Sequence, residues 1–138
     1  MAESPISPEL DALSCDLLGQ ALDALAAGVE VPVLAVADLG DGSVPEVTSF
    51  ADDSLDLCLD AARAYVRGCK GAVRYAIVYD GDVAPEGGGA YQAALILEFG
   101  EKGAPSGYSG YVLYQGFGSQ DDFAWTDPEP AGTCELLV

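Results

Sequence analysis

The sequence contains no histidine, and only five of its 138 residues are lysine or arginine. Without imidazole there is no Ser-His or Cys-His nucleophile, and no side chain whose ordinary titration falls near neutrality. Nothing completes a zinc set, because histidine is absent and none of the four cysteines forms a C-x-x-C pair. There is no P-loop and no G-x-G-x-x-G after a strand, so no cofactor is expected. No apolar run approaches the roughly eighteen residues of a membrane span. The opening Met1-Ala2-Glu3-Ser4 is acidic, whereas a secretory signal needs a positive start and an apolar core. The expected location is the cytoplasm.

Against the five cations stand 23 Asp and Glu, a net charge of −18 at pH 7. Such a surface repels phosphate backbones and anionic lipid, so neither nucleic acid nor membrane is an expected partner. Self-repulsion that keeps the chain soluble is the plainer account of the acidity. A salt-adapted protein, or one that docks a basic partner, is the sharper one, although the aliphatic content is high for salt adaptation. Half of the residues are apolar, which suits one folded domain over residues 1–138 with no need of disulfides. Cys58 and Cys69 share a helical face but stand about 16 Å apart along its axis, too far for a bridge. The cysteines therefore read as small buried apolar residues, with Cys134 the one candidate for a reactive thiol.

The first helix is signed by Ser7 as N-cap, Pro8 at the first helical position and Glu9 and Asp11 in the first turn. Its apolar stripe is Leu10, Leu13, Leu17, Ala21 and Leu25, and Gly28 stops it. Strands are expected over 31–37 and 44–50 as a hairpin. Pro32 and Pro45 imply edge or short strands. A second helix over 54–70 buries Leu55, Cys58, Leu59, Ala62, Val66 and Cys69. Three strands over 72–80, 90–99 and 108–115 follow. The fold class is α+β, a two-layer sandwich in which a five-stranded antiparallel sheet is backed by both helices, in the order α-β-β-α-β-β-β. Residues 116–138 form an acidic, aromatic C-terminal segment.

Period-two pairing places Tyr79 opposite Tyr91, Ile77 opposite Ala93, Phe99 opposite Tyr108 and Leu95 opposite Val112. One face then collects Val73, Tyr75, Ile77, Leu95, Leu97, Phe99, Val112 and Tyr114 against the helices. The other carries Arg74, Ala76, Val78, Gln92, Ala94, Ile96, Glu98, Tyr111 and Leu113. A slip of one residue would exchange them. This second face is half apolar, with Arg74 and Glu98 close enough to pair. Either a second copy of the chain covers it, making a homodimer, or the tail folds back with Phe117, Phe123 and Trp125.

The stretch Arg74-Tyr75-Ala76-Ile77-Val78-Tyr79-Asp80-Gly81, with Ala94-Leu95-Ile96-Leu97-Glu98 and Glu101-Lys102-Gly103-Ala104-Pro105, resembles a family of short bacterial proteins that has no assigned activity. No functional residue carries over from it. The element order is similar to roadblock and profilin-like domains, a likeness of topology that does not fix function.

Four of the five cations, Arg63, Arg67, Lys70 and Arg74, fall within twelve positions. They could form an anion site, or simply oppose the dipole of a helix end, with Arg63 pairing Asp60. Asp38, Asp41 and Ser43, and separately Asp80 and Asp82, could approach a cation, but both depart from a calcium loop, and turn formation explains them. The sequence points to a non-enzymatic binding or regulatory module that self-associates through its sheet and can take a protein partner. The alternative is a carboxylate-based or metal-assisted hydrolase. The candidate interaction surface is Arg63, Arg67, Lys70, Arg74, Gln92, Glu98, Tyr111 and Trp125.

Overall fold

The computed structural model describes residues 7–42, 45–50, 54–83, 92–126 and 129–138. Its elements are α1 (Pro8–Ala26), β1 (Val33–Asp38), β2 (Val47–Phe50), α2 (Leu55–Gly68), β3 (Arg74–Val83), β4 (Gln92–Glu101), β5 (Gly107–Gln115), β6 (Ala124–Trp125) and β7 (Glu129–Cys134), with a 3-10 turn over Gln120–Asp122. Both helices start on a serine cap. Ser7 Oγ accepts from the Leu10 N–H and Ser54 Oγ from that of Leu57, which satisfies donors the first turn leaves without partners. The second helix ends at Gly68, short of the expected Lys70, because Cys69 turns to extended backbone. Among the described residues no helix is long and apolar enough to cross a membrane.

The architecture is α+β with an antiparallel sheet, in the order β2-β1-β3-β4-β5-β6 and with β7 also on β5. Among the described residues seven strands replace the five expected, and the additional two come from the acidic tail. β6 pairs Trp125 with Tyr114, and β7 pairs Cys134 with Gly107, so both line the outer edge of β5. Thr126 continues the seam: its N–H donates to Leu113 O at 2.9 Å and its Oγ1 accepts from the Leu113 N–H at 3.0 Å.

Two expectations about the strands need correction. β1 is interior, flanked by β2 and β3. Pro32 precedes the strand and removes no ladder donor, so it does not force β1 to an edge. Only β2, four residues long, is the edge strand expected. The β3–β4 register is also different. Gly81 does not end its strand but lies within it opposite Ala94, and β3 runs on to Val83. Tyr79 therefore faces Ile96 and Ile77 faces Glu98. That odd-numbered shift moves every β3 side chain to the other face relative to β4. The β4–β5 register is as expected, with Leu95 opposite Val112 and Phe99 opposite Tyr108.

The helices consequently lie on opposite faces of the sheet, giving three layers rather than two. α1 packs Leu17, Leu18, Ala21, Leu22 and Leu25 on Val36, Ala76, Val78, Leu95, Leu97 and Val112. α2 packs Cys58, Leu59, Ala62 and Val66 on Val33, Ala35, Tyr75 and Ile77. Tyr75, Ala76, Ile77 and Val78 are all fully buried, as expected of a strand with apolar layers on both sides. α2 contacts β1 and β2, and part of the remaining face is covered by the chain end, where Leu136, Leu137 and Val138 join the same cluster.

Candidate functional site

The basic stretch does not form one surface. Arg63 reaches from α2 to Glu98 on β4 in a forked pair, Nη2–Oε2 2.6 Å and Nε–Oε1 3.2 Å, rather than pairing with Asp60. Arg67 bonds Glu135 at the exposed rim. Arg74 lies on the α1 side of the sheet, opposite Glu101, and joins Glu101 and Asp38 instead of Glu98. Lys70 is exposed and makes no ion pair among the described residues. Tyr111 is half-buried opposite Ile96, on the α2 side with Glu98, whereas Trp125 stands with Tyr114 on the α1 side. The side chain of Gln92 lies outside the described residues. The described sheet residues of the set are thus divided between both faces, and each of the three arginines is held by a carboxylate of this chain.

The part of the tail that folds onto the α2 face is its last turn of chain, not its aromatic residues. Tyr75 Oη donates to Glu135 O at 3.2 Å, and Leu136 to Val138 pack beside it. Phe123 instead packs against the α1 cluster.

Arg74 ties three elements together. Asp38 sits at the end of β1, Glu101 at the end of β4, and Ser7, the cap of α1, donates to Glu101 at 2.7 Å. The Gly40 N–H at 2.9 Å, and then Arg74, hold the Asp38 carboxyl below the usual carboxylate range. Ser7, and then Arg74, do the same for Glu101. A carboxyl with a lower pKa in the folded state stabilises fully above its unfolded value of about 4 and loses that stabilisation as pH falls through the folded value. Urea-denaturation midpoints are therefore expected to fall steeply below about pH 4, and Arg74→Met to flatten that fall. An acid limb unchanged in Arg74→Met would remove the arginine's part in it. Because Asp38 is engaged in this way, it is poorly placed for a cation, and Ser43 lies outside the described residues. Among the described residues no three potential metal ligands gather.

Neither Cys134 nor Cys15 is an activated thiol. Cys134 is half-buried and donates to Tyr108 O at 3.5 Å, and desolvation with Glu98 nearby raises its pKa. Cys15, expected to be buried, is exposed on α1, and its pKa too is raised, by partial desolvation and then by Asp11 and Asp16. A raised pKa lowers the thiolate fraction that reacts.

One end of the molecule gathers what the sequence leaves scattered. The end of β3, the end of β5 and the C-terminus of α1 meet there, held by Gly118, whose N–H donates to Leu25 O at 2.9 Å. Gly28 and Gly118 both have positive φ, 82° and 75°, the left-handed region that glycine adopts most readily, and pass backbone against backbone. Tyr114, Phe123 and Trp125 form a row of rings with centroids 5.9 and 5.8 Å apart. Trp125 is 57% exposed, and Val29 and Phe117 at the same end are 56% and 49% exposed. A shallow groove of about 220 Å³ follows the β5–β6 seam, lined by Leu113, Tyr114, Gln115, Ala124, Trp125 and Thr126.

Carboxylates surround this apolar end. Asp80 and Asp82 close β3, Asp121 and Asp122 lie in the 3-10 turn, and Asp23 and Glu30 flank the end of α1. Tyr114 Oη donates to Asp80 Oδ1 at 2.6 Å, and burial, followed by that bond, keeps the phenol protonated well above its ordinary range. The five cations all lie elsewhere: Arg63 and Arg67 on α2 from its middle onward, Lys70 just past its end, and Arg74 and Lys102 at the opposite end of the sheet. Trp125 was among the candidate residues, but its setting was not readable. Period-two pairing rightly assigned Tyr114 to a helix-facing side of the sheet, but Phe123 was placed only within the tail.

Comparison with family models, with curated proteins and with solved structures finds no match.

Proposed function

We propose that the chain is a non-enzymatic binding module whose partner is a basic protein. The observation that carries this reading is the fate of the positive charge. Arg63, Arg67 and Arg74 are all paired within the chain, which leaves a surface dominated by carboxylates from a total of 23 acids. Such a field accelerates encounter with a cationic protein and opposes encounter with an anionic one. Affinity capture from an extract of cells that make the protein, followed by titration of the purified partner, tests it. The expected partner carries an excess of lysine and arginine, and its affinity falls about tenfold or more between 0.05 and 0.5 M NaCl, over which the screening length shrinks about threefold. A partner without basic excess, or one indifferent to salt, removes the reading.

Self-association is the second reading. Ile96, Tyr111 and Leu113 lie on the α2 side over β4 and β5, remain only half-buried, and form a strip that a second copy could cover. Two chains of charge −18 would have to approach, so dimerisation is expected to strengthen with salt, opposite to the docking of a basic partner. Light scattering that gives a monomer in both low and high salt would exclude it.

A further inference from the structure

We infer that the contact with the basic partner is made at the aromatic end of the sheet, where an arginine of an extended partner segment stacks on Trp125. This rests on the reading of the chain as a module for basic proteins and locates the site. Three observations meet here. The first is the row Tyr114–Phe123–Trp125, which ends in an indole that is mostly solvent-exposed. Exposed apolar side chains rimmed by polar ones mark contact surfaces, and Val29 and Phe117 are exposed at the same end of the molecule. The second is charge: Asp80, Asp82, Asp121 and Asp122 stand at the rim, and all five cations lie elsewhere. Among the described residues Asp80 uses Oδ1 for Tyr114, leaving Oδ2 as an acceptor. The third is shape. The groove of about 220 Å³ is smaller than the roughly 300–1,000 Å³ of small-molecule sites and suits single side chains.

Together these favour a guanidinium over an ammonium ion. A planar guanidinium can stack on an indole face while its N–H groups fork to a carboxylate, whereas lysine offers a compact, strongly hydrated charge. The extended form of the segment follows from position: β6 ends the strand order, so its outer edge carries no strand among the described residues. A segment added there presents alternate side chains to the Trp125 face.

Trp125 is the chain's only tryptophan, which makes its fluorescence a direct reporter. The experiment titrates the full chain at 0.15 M NaCl with a ten-residue oligo-arginine peptide, and separately with oligo-lysine and oligo-glutamate. Affinity is read by calorimetry and the site by Trp125 emission. Oligo-arginine is expected to bind more tightly than oligo-lysine and to change Trp125 emission. Trp125→Ala is expected to weaken it by about three- to tenfold. Asp82→Asn with Asp122→Asn should weaken binding more than the charge-matched control Asp11→Asn with Asp16→Asn on α1. Binding with unchanged emission, or equal loss in the two aspartate pairs, would place the contact elsewhere and overturn this site while leaving the basic-partner reading intact. No binding of either cationic peptide would count against both. The emission readout uses the unmodified chain, so the outcome does not depend on any variant folding.

Discussion

Replacing Tyr75 with alanine is expected to lower the unfolding free energy by about 4 kcal/mol, the usual cost of emptying a large aromatic site in a core. Tyr75 is the largest fully buried side chain. Its ring lies against the backbone at Gly100 and Gly107, where an added Cβ would come within 2.8 Å of Tyr75 Cε1 and 2.7 Å of its Oη. The two glycines thus make room for the ring, and nothing larger stands ready to refill the space. Its hydroxyl donates to Glu135 O at 3.2 Å, fastening the chain end over the α2 face. Tyr75→Phe removes only that bond and should cost about 1 kcal/mol. Gly107→Ala should approach the alanine variant in severity, because its Cβ would also meet Glu135 O at 2.9 Å and Cys134 Sγ at 3.0 Å. Urea midpoints read these differences directly. If Tyr75→Ala cost no more than Tyr75→Phe, the ring would not be the support of that layer.

The second large effect concerns Arg63 and Glu98, and it is asymmetric. The Glu98 side chain is 10% exposed and that of Arg63 is 32% exposed, so the carboxylate depends on the guanidinium more than the reverse. Arg63→Ala strands a nearly buried carboxylate and is expected to cost about 2–3 kcal/mol, below the value for fully buried pairs because the arginine is partly hydrated. Glu98→Met fills the site with an apolar chain of similar length while Arg63 can turn to water, so the loss should stay under about 1 kcal/mol. The double variant should recover most of what Arg63→Ala loses. Equal losses in the two single variants would mean that the pair acts by packing alone.

The element types up to β5 were readable because local chemistry decides them: Ser7-Pro8 starts a helix wherever the sheet lies, and Asp52, Asp53 and Ser54 each offer a cap for the second. The β4–β5 register was readable too, since Phe99 and Tyr108 flank a short connection and alternate cleanly on either side. The β3–β4 register was not. Gly81 has the look of a strand stop, yet within the ladder its missing side chain makes room for Ile96 Cδ1, which a Cβ would approach to 3.0 Å. The third layer had a signal that two-layer reasoning passed over. Tyr75-Ala76-Ile77-Val78 is apolar without alternation, which marks a strand covered on both faces. The acidic aromatic end was illegible for a different reason: Asp80 and Trp125 are brought together only through Tyr114, which bonds the one and pairs with the other.

The place of β1 in the sheet also sets a demand on how the chain assembles. Leu34 pairs with Val78, with β2 and all of α2 lying between them in sequence, whereas β4 and β5 pair across a short connection. Contacts between distant residues require a large loop to close before they contribute anything, and they dominate the time a small protein takes to fold. The β4–β5 hairpin can form from shorter-range contacts, but the middle of the sheet stays incomplete until β1 inserts beside β3, and α1 must close a longer loop still to pack on β4 and β5. Those two closures are the steps to which the overall folding rate should be most sensitive.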